Sequence, residues 1–260
     1  MKVWDEFKWE FWDPKKNPLP EIPKKYRKIS ICTTCMGRTH DLKKTFIKNL
    51  CDNQDYPNVE FVLLNYNSRD DMDEWVHKYL SGWMQDGIVK YVKTDKPQYY
   101  SMGKSRNIAF KQATGDIVTN VDADNFTGEG FAGFLNLLAE VQPEKALFAK
   151  GKRGMHGRIG MYKNEFIEIG GYDEDLQGYG YDDHSVVLRA MSHFNAKFMW
   201  WAGVSKIDFT KRIKTPRGVV GKNMENQNWR HTEKANKEIT LKKMRSGEFI
   251  VNQGREWGLV

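Results

Sequence analysis

Two carboxylates two positions apart, Asp122-Ala-Asp124, follow the apolar run Ile117-Val-Thr-Asn-Val121. Alternate residues leaving a strand can both turn toward one ligand, so such a pair can share a divalent cation. Hard cations such as Mg2+ and Mn2+ prefer oxygen donors and complete their shells with substrate phosphates. The same spacing also suits an acidic turn capping a helix that is expected to begin near Thr127. A second acidic pair, Asp182-Asp183, closes the glycine-rich stretch that starts at Gly170-Gly171 and opens a predicted helix. Acids in a first turn complement the helix dipole, and a carboxylate at such a place can also serve as general base toward a hydroxyl. Arg106 and Asn107 stand near the start of a further predicted helix. There an arginine can order the acid pair, bind phosphate or simply be a surface charge.

These groups need elements to hold them. Ile29 to Thr34 has a strand pattern, and Leu42, Phe46, Ile47 and Leu50 share one face of a helix from about Thr39. Strands are expected at Val59–Leu64, Ile88–Val92 and Ile117–Val121, with helices at Asp70–Leu80 and Gly103–Ala113 between them. This alternation predicts an α/β fold with a mostly parallel central sheet flanked by helices, and ligands beyond the carboxyl ends of the strands. Beyond the glycines come a helix at Asp182–Phe194, a strand at Lys197–Trp201, a basic loop and an amphipathic helix. The boundaries expected are an aromatic N-terminal arm over 1–27, one domain over 28–208, and a basic C-terminal extension over 209–260 that packs on it. His156, His184 and His193 read as structural or exposed, without a role.

Lysine and arginine number 41 against 34 acids, a net charge of +7, and 40 % of the 260 residues are hydrophobic, which is enough for an ordinary core. Residues 206–260 hold 13 of the cations and 6 of the acids, so the whole excess sits there and suggests either a polyanionic partner or a solvated lysine-rich helix. No stretch approaches the roughly 20 apolar residues of a membrane span, and the N-terminus lacks a signal-like apolar core. With three cysteines, two of them inside a strand-like run, a reducing cytoplasm is expected. Cys32-Thr-Thr-Cys35 reads as strand rather than as a redox or zinc half-site.

In order and spacing, four segments resemble the family 2-like glycosyltransferases of GT-A fold. They are Ile29–Thr34 with Gly37-Arg38, Gln54–Leu64, Ser105–Asp124, and Gly170-Gly-Tyr-Asp-Glu through Asp182-Asp183 to Arg189. The last is also similar to the C-terminal motif of galactosyl- and N-acetylgalactosaminyl-transferases. The resemblance implies a metal-dependent, inverting transfer of a hexose or pentose from a nucleotide sugar, a UDP-sugar first, to an acceptor hydroxyl. It implies Mn2+ or Mg2+ on Asp122 and Asp124, with Asp208 as a third ligand or His231 in its place. Asp183 matches the catalytic base and Asp182 the acid that holds the acceptor. Thr33, Arg38, Asn65, Arg106, Asn107, Asp122, Lys211 and Arg212 would line the donor site. Asn65 stands where the family usually has an acid for the nucleotide's base, which leaves the donor nucleotide open. The acceptor is a saccharide or a nucleic acid bearing hydroxymethylated bases. The rival readings are a nucleic-acid-binding protein without catalysis and a nucleotidyltransferase.

Overall fold

Alternating side chains along Ile29–Cys35 (β1) feed two cores on opposite faces of one sheet. Ile29, Ile31 and Cys35 enter one cluster, while Cys32 enters the other, as the two-residue period of a strand requires. The cysteines therefore point apart, and burial raises both thiols, Cys35 up to about 12. Cys32 and Cys35 are strand residues, as their surroundings in the sequence predict. A computed structural model describes residues 18–141, 147–149, 157–195, 198–200, 212–213, 223–225 and 228–260.

Helix α1 (Thr39–Asp52) leads to β2 (Val59–Tyr66), and the short helices α2 (Met72–Tyr79) and α3 (Ser81–Gln85) lead to β3 (Val89–Thr94). Helix α4 (Met102–Gln112), capped by the Ser101 side chain, precedes β4 (Ile117–Asn120). Then follow α5 (Phe131–Val141), β5 (Leu147–Ala149), β6 (Ile159–Tyr162), α6 (Lys163–Glu168), α7 (Asp182–Phe194), β7 (Phe198–Trp200) and α8 (Trp229–Arg245). The helix expected over Asp70–Leu80 is α2, and the short helix α3 that follows it was not expected. The helix expected from Thr127 starts at Phe131, because Asn53 at the end of α1 accepts the Ala132 amide at its first turn. Strands β5 and β6 and helix α6 escaped the sequence pattern.

The strands run in the order β3-β2-β1-β4-β6-β5-β7. All are mutually parallel except β6, which pairs antiparallel with both β4 and β5. The mostly parallel α/β sheet is as expected. From β1 the chain moves outward to β2 and β3, then returns to the other side of β1 as β4. The crevice between the carboxyl ends of β1 and β4 is therefore a topological switch point, where such sheets bind ligands. Of the N-terminal arm, residues 1–17 lie outside the described residues, and the remainder is tied down by Arg27 on Glu140 at 2.7 Å and by Lys25, whose carbonyl accepts from Asn136.

At the opposite end of β1 a buried carboxylate pins the sheet to α4. Glu60 accepts from Ser30 Oγ at 2.6 Å and from the amide and hydroxyl of Thr114, with Lys28 at 3.0 Å. Burial opposes its charge, but these donors outweigh it and draw the carboxyl down to about 2 from its ordinary 4.5. A depressed acid stabilises the fold fully above the unfolded value and ceases to do so as pH falls through the folded one. We expect Glu60→Gln to lose stability above pH 4.5, by up to about 3 kcal/mol, and to flatten the decline in urea-unfolding free energy between pH 4.5 and 2. An unchanged acid limb in the variant would contradict this account.

Candidate active site

The loop that carries the Asp122/Asp124 pair is positioned from beneath by a polar ladder on α1. Thr45, Asn49 and Asn53 recur every fourth residue on one helical face. Thr45 Oγ1 donates to the Ala123 carbonyl at 2.6 Å, Asn49 Nδ2 to the Asn125 carbonyl at 2.9 Å, and Asn53 Nδ2 to Thr127 Oγ1 at 2.9 Å. Asn49 Oδ1 accepts the Thr127 amide in return. Buried Arg158 donates to Asn125 Oδ1 and to the Phe126 carbonyl from the other side. A loop whose backbone groups are satisfied in this way presents its carboxylates at a fixed place.

On the facing wall Gly170 to Tyr181 lead into α7, and several buried groups hold this loop through its backbone. Arg189, wholly buried, donates to the carbonyls of Ile169, Gly171 and Phe249. Asn107 donates to the Tyr172 carbonyl and accepts the Tyr172 amide, at 2.9 and 2.8 Å. Asn252 donates to the carbonyls of Gly170 and Tyr172, each at 2.7 Å. Farther along, Thr232 exchanges two hydrogen bonds with the backbone of Tyr179. Asn236, one turn on in α8, exchanges two with Gln177 and donates to the Gly180 carbonyl. Gly178 is required where the loop meets that helix, since its φ is +64° and a Cβ would lie 2.6 Å from Thr232 Cγ2.

The two walls enclose a cleft of about 290 Å³. Asp122, Asp124, Asp182 and Asp183 all line it, together with Arg38, Arg106, Arg212, Glu233 and His184. Buried Arg106 spans it from α4, with Nη2 3.2 Å from Asp122 Oδ1 and Nη1 on Asp182 Oδ2. Arg38 reaches Asp124 Oδ2 at 3.0 Å and Asp41 at 2.7 Å. Arg212 arrives by an isolated bridge between Asn125 and Arg212, reinforced by the Ile213 amide on the Asp124 carbonyl at 2.8 Å. Partial desolvation works against ionised Asp122, but Arg106 and the Asn120 amide outweigh it and hold the carboxyl below its usual range. Asp182 behaves oppositely: burial raises its carboxyl, Arg106 opposes that, and the neighbouring Asp183 adds to it. Two acids bound to one guanidinium are thus pushed in opposite directions.

Several residues expected at the donor site stand behind the cleft. Thr33 points to the other side of β1 and donates to the Val121 carbonyl at 2.8 Å, so its neighbour Thr34 lines the cleft, bonded to Tyr100 Oη. Asn65 is fully buried, donating to Asp73 and Tyr91 and accepting the Ser68 amide at 2.7 Å. Asn107 holds the glycine loop as described. In each case the polar group is engaged with the fold rather than the cleft surface. Lys211 and Asp208 lie outside the described residues. His231 is exposed on α8 and does not line the cleft. Among the described residues no three His, Cys, Asp or Glu side chains gather as a ligand set. The basic C-terminal segment is partly engaged internally, since Lys243 pairs with Asp173 and Asp175 and Arg255 with Asp175. His184, expected to be without a role, lies on the cleft wall within 3.1 Å of Asp183. Its position directly after the acid pair was the available signal.

Residues 30–152 match the family described as glycosyl transferase family 2. Over that stretch, just under half of the chain, it is similar to this family. Its single-domain α/β architecture is the GT-A fold of solved glycosyltransferases. It is similar to the mannosyltransferase PcManGT from Pyrobaculum calidifontis, solved with GDP-Man and Mn2+, at TM-score 0.58 and 18 % identity over 75 % of this chain and 63 % of that one. It is similar to glucosyl-3-phosphoglycerate synthase from Mycobacterium tuberculosis, solved with Mn2+, UDP and phosphoglyceric acid, at TM-score 0.58 and 13 % identity over 82 % and 78 % of the two chains. GalNAc-T7 with UDP, GalNAc and Mn2+ gives TM-score 0.57 and 14 % identity over 68 % and 43 %. At such identities the likeness is one of fold. The chain spans less than two thirds of the mannosyltransferase's length. No curated protein matches it significantly. No described helix is long and apolar enough to cross a membrane.

Removing Arg106 from this fold leaves two acids facing each other without their shared cation. We expect Arg106→Met to cost about 3–5 kcal/mol near neutral pH, read by urea unfolding. Without Arg106 the Asp182 carboxyl rises further, so as pH falls the folded form takes up its proton earlier than the unfolded chain. Stability of the variant is then regained as pH falls, and its deficit against wild type is smaller at pH 5 than at pH 7.5. A deficit independent of pH would contradict the assignment.

Proposed function

We propose that the chain transfers a sugar from a nucleotide-sugar donor to an acceptor hydroxyl, with dependence on a divalent cation and inversion at the anomeric carbon. The observation that carries this reading is the meeting of Asp122/Asp124 and Asp182/Asp183 across one cleft, with Arg106 between them. A nucleotidyltransferase reading explains the first pair and leaves the second, with its glycine loop, unused.

The residues present suit a hard cation. Asp122 keeps 42 % of its side chain exposed, and Asp124 joins it on the cleft surface. Five carboxylates, from Asp122, Asp124, Asp182, Asp183 and Glu233, face three guanidinium groups there, an excess of two for a cation to balance. Asp122 and Asp124 would hold the ion, which when bound supplies Lewis-acid neutralisation of charge developing on the diphosphate. The Mn2+ and the GDP or UDP ligands in solved structures of like fold support this reading.

Arg38 and Arg212 offer cationic side chains to the diphosphate from the β1 side and from the bridge at Asn125. Asp183 takes the proton of the acceptor hydroxyl. That oxygen bonds to the anomeric carbon while the bond from this carbon to the diphosphate oxygen breaks, and the electron pair leaves with the nucleotide. One displacement inverts the centre. Asp182, held by Arg106, fixes the first turn of α7 so that its neighbour is aimed into the cleft, and binds a further acceptor hydroxyl.

Mass spectrometry of the purified protein with Mn2+ and a panel of nucleotide sugars, with and without saccharide and hydroxymethylated-DNA acceptors, tests the activity. We expect sugar release or transfer that excess chelator abolishes; turnover under excess chelator would remove the cation from the scheme. Asp183→Asn should bind donor nearly as wild type while transfer falls by about two orders of magnitude or more. Full turnover in that variant would sink the base assignment.

A further inference from the structure

His184 occupies a built position beside Asp183. Its Nδ1 lies 3.1 Å from Asp183 Oδ1, and the same oxygen accepts the His184 amide at 2.8 Å. Its ring stacks on Tyr181, with centroids 5.1 Å apart and planes 16° from parallel. Tyr181 itself has φ +69°, a left-handed conformation for a residue with a Cβ, and it sits directly ahead of the acid pair. Such backbone costs on the order of 1–3 kcal/mol and gathers at working sites. A nitrogen facing an ionised carboxylate must donate, so the imidazole carries a proton on Nδ1.

We propose that His184 is a positioning residue for Asp183: its Nδ1–H fixes the plane of the carboxylate that takes the acceptor proton, and the Tyr181 ring fixes the imidazole. This rests on reading Asp183 as the base. Asp182 and Asp183 face the imidazole from α7 and Glu233 from α8, with Arg106 behind Asp182 and Arg212 lining the same cleft from the Asn125 side. Burial opposes a charge on the ring, but the Asp183 hydrogen bond and these carboxylates outweigh it, and its pKa lies above the ordinary value. A second proton on the ring makes Asp183 a weaker base, so transfer declines as pH falls through the imidazole's titration.

Two variants separate the donor from the ring. His184→Phe keeps a ring to stack but has no donor; His184→Asn places a neutral N–H near the Nδ1 position. With Mn2+ and whichever of UDP-glucose and GDP-mannose the wild type turns over, His184→Phe should lower kcat roughly 10- to 100-fold with the donor KM unchanged. His184→Asn should recover most of that kcat and lose the near-neutral step of the pH profile. Wild-type kcat in the Phe variant, or a retained step in the Asn variant, overturns the proposal. A measurement that needs no turnover decides the contact itself: long-range 1H–15N spectra of the full chain should show the Nδ1–H tautomer and a His184 titration that moves down in Asp183→Asn. An Nε2–H tautomer, or a titration indifferent to that substitution, also overturns it. Persistent transfer in Asp183→Asn would remove the base reading, whereas the spectra would still report whether the His184–Asp183 contact exists.

Discussion

A single buried guanidinium joins the two halves of the site. Arg106 touches Asp122 at the end of the fourth strand and Asp182 at the start of α7, sixty positions later in the chain. Without it, five carboxylates face only two guanidinium groups across one cleft, and their repulsion favours any motion that separates the walls. With it, the same acids become mutually dependent: each is placed by a group that the other also binds. Breaking such a pair is costly because the remaining charge stays desolvated. The opposite shifts at Asp122 and Asp182 follow from this arrangement, since the guanidinium outweighs desolvation at the first and falls short of it at the second.

The layered architecture was legible because it rests on periodicity. Strand alternation in Ile29–Cys35 and helical spacing in α1 report which faces are apolar, and apolar faces decide layers. The place of Asp122 and Asp124 was legible because a parallel sheet gathers strand ends at one edge, whereas Arg38, Arg106, Arg212, Asp182 and Asp183 were expected beside a donor or acceptor only through the resemblance in order and spacing. The direction of individual polar groups was not. Thr33 and Thr34 differ only in strand parity, and one faces the Val121 carbonyl while the other faces the cleft. Asn65 and Asn107 carry amides able to serve a ligand or a backbone equally well, and tertiary packing assigned them to backbone and neighbouring side chains.

Residues that appear only as motif positions acquire physical reasons in the structure. Arg189, six positions after Asp183, holds three carbonyls, which makes it a brace for the loop. The ladder of Thr45, Asn49 and Asn53 has a visible four-residue spacing, yet polar residues at such intervals ordinarily mark a solvated face. Here that face is turned inward because the loop bearing Asp122 and Asp124 has carbonyls and amides with no strand partner. Part of the C-terminal positive charge has an equally local purpose, as the pairing of Lys243 and Arg255 with acids of the glycine loop shows.

The wrapping of that loop by residues 232–252 bears on the order of folding. Its supports, Thr232, Asn236, Lys243 and Asn252, lie 53 to 82 positions from the groups they bind. Contacts of such separation form late, since chain closure must precede any gain from them. Until α8 and the residues after it have formed, the sheet and its first acid pair can settle, but the opposite wall has no scaffold. The cleft thus closes only once residues 232–252 have docked, so its first acid pair is in place before there is an enclosure around it.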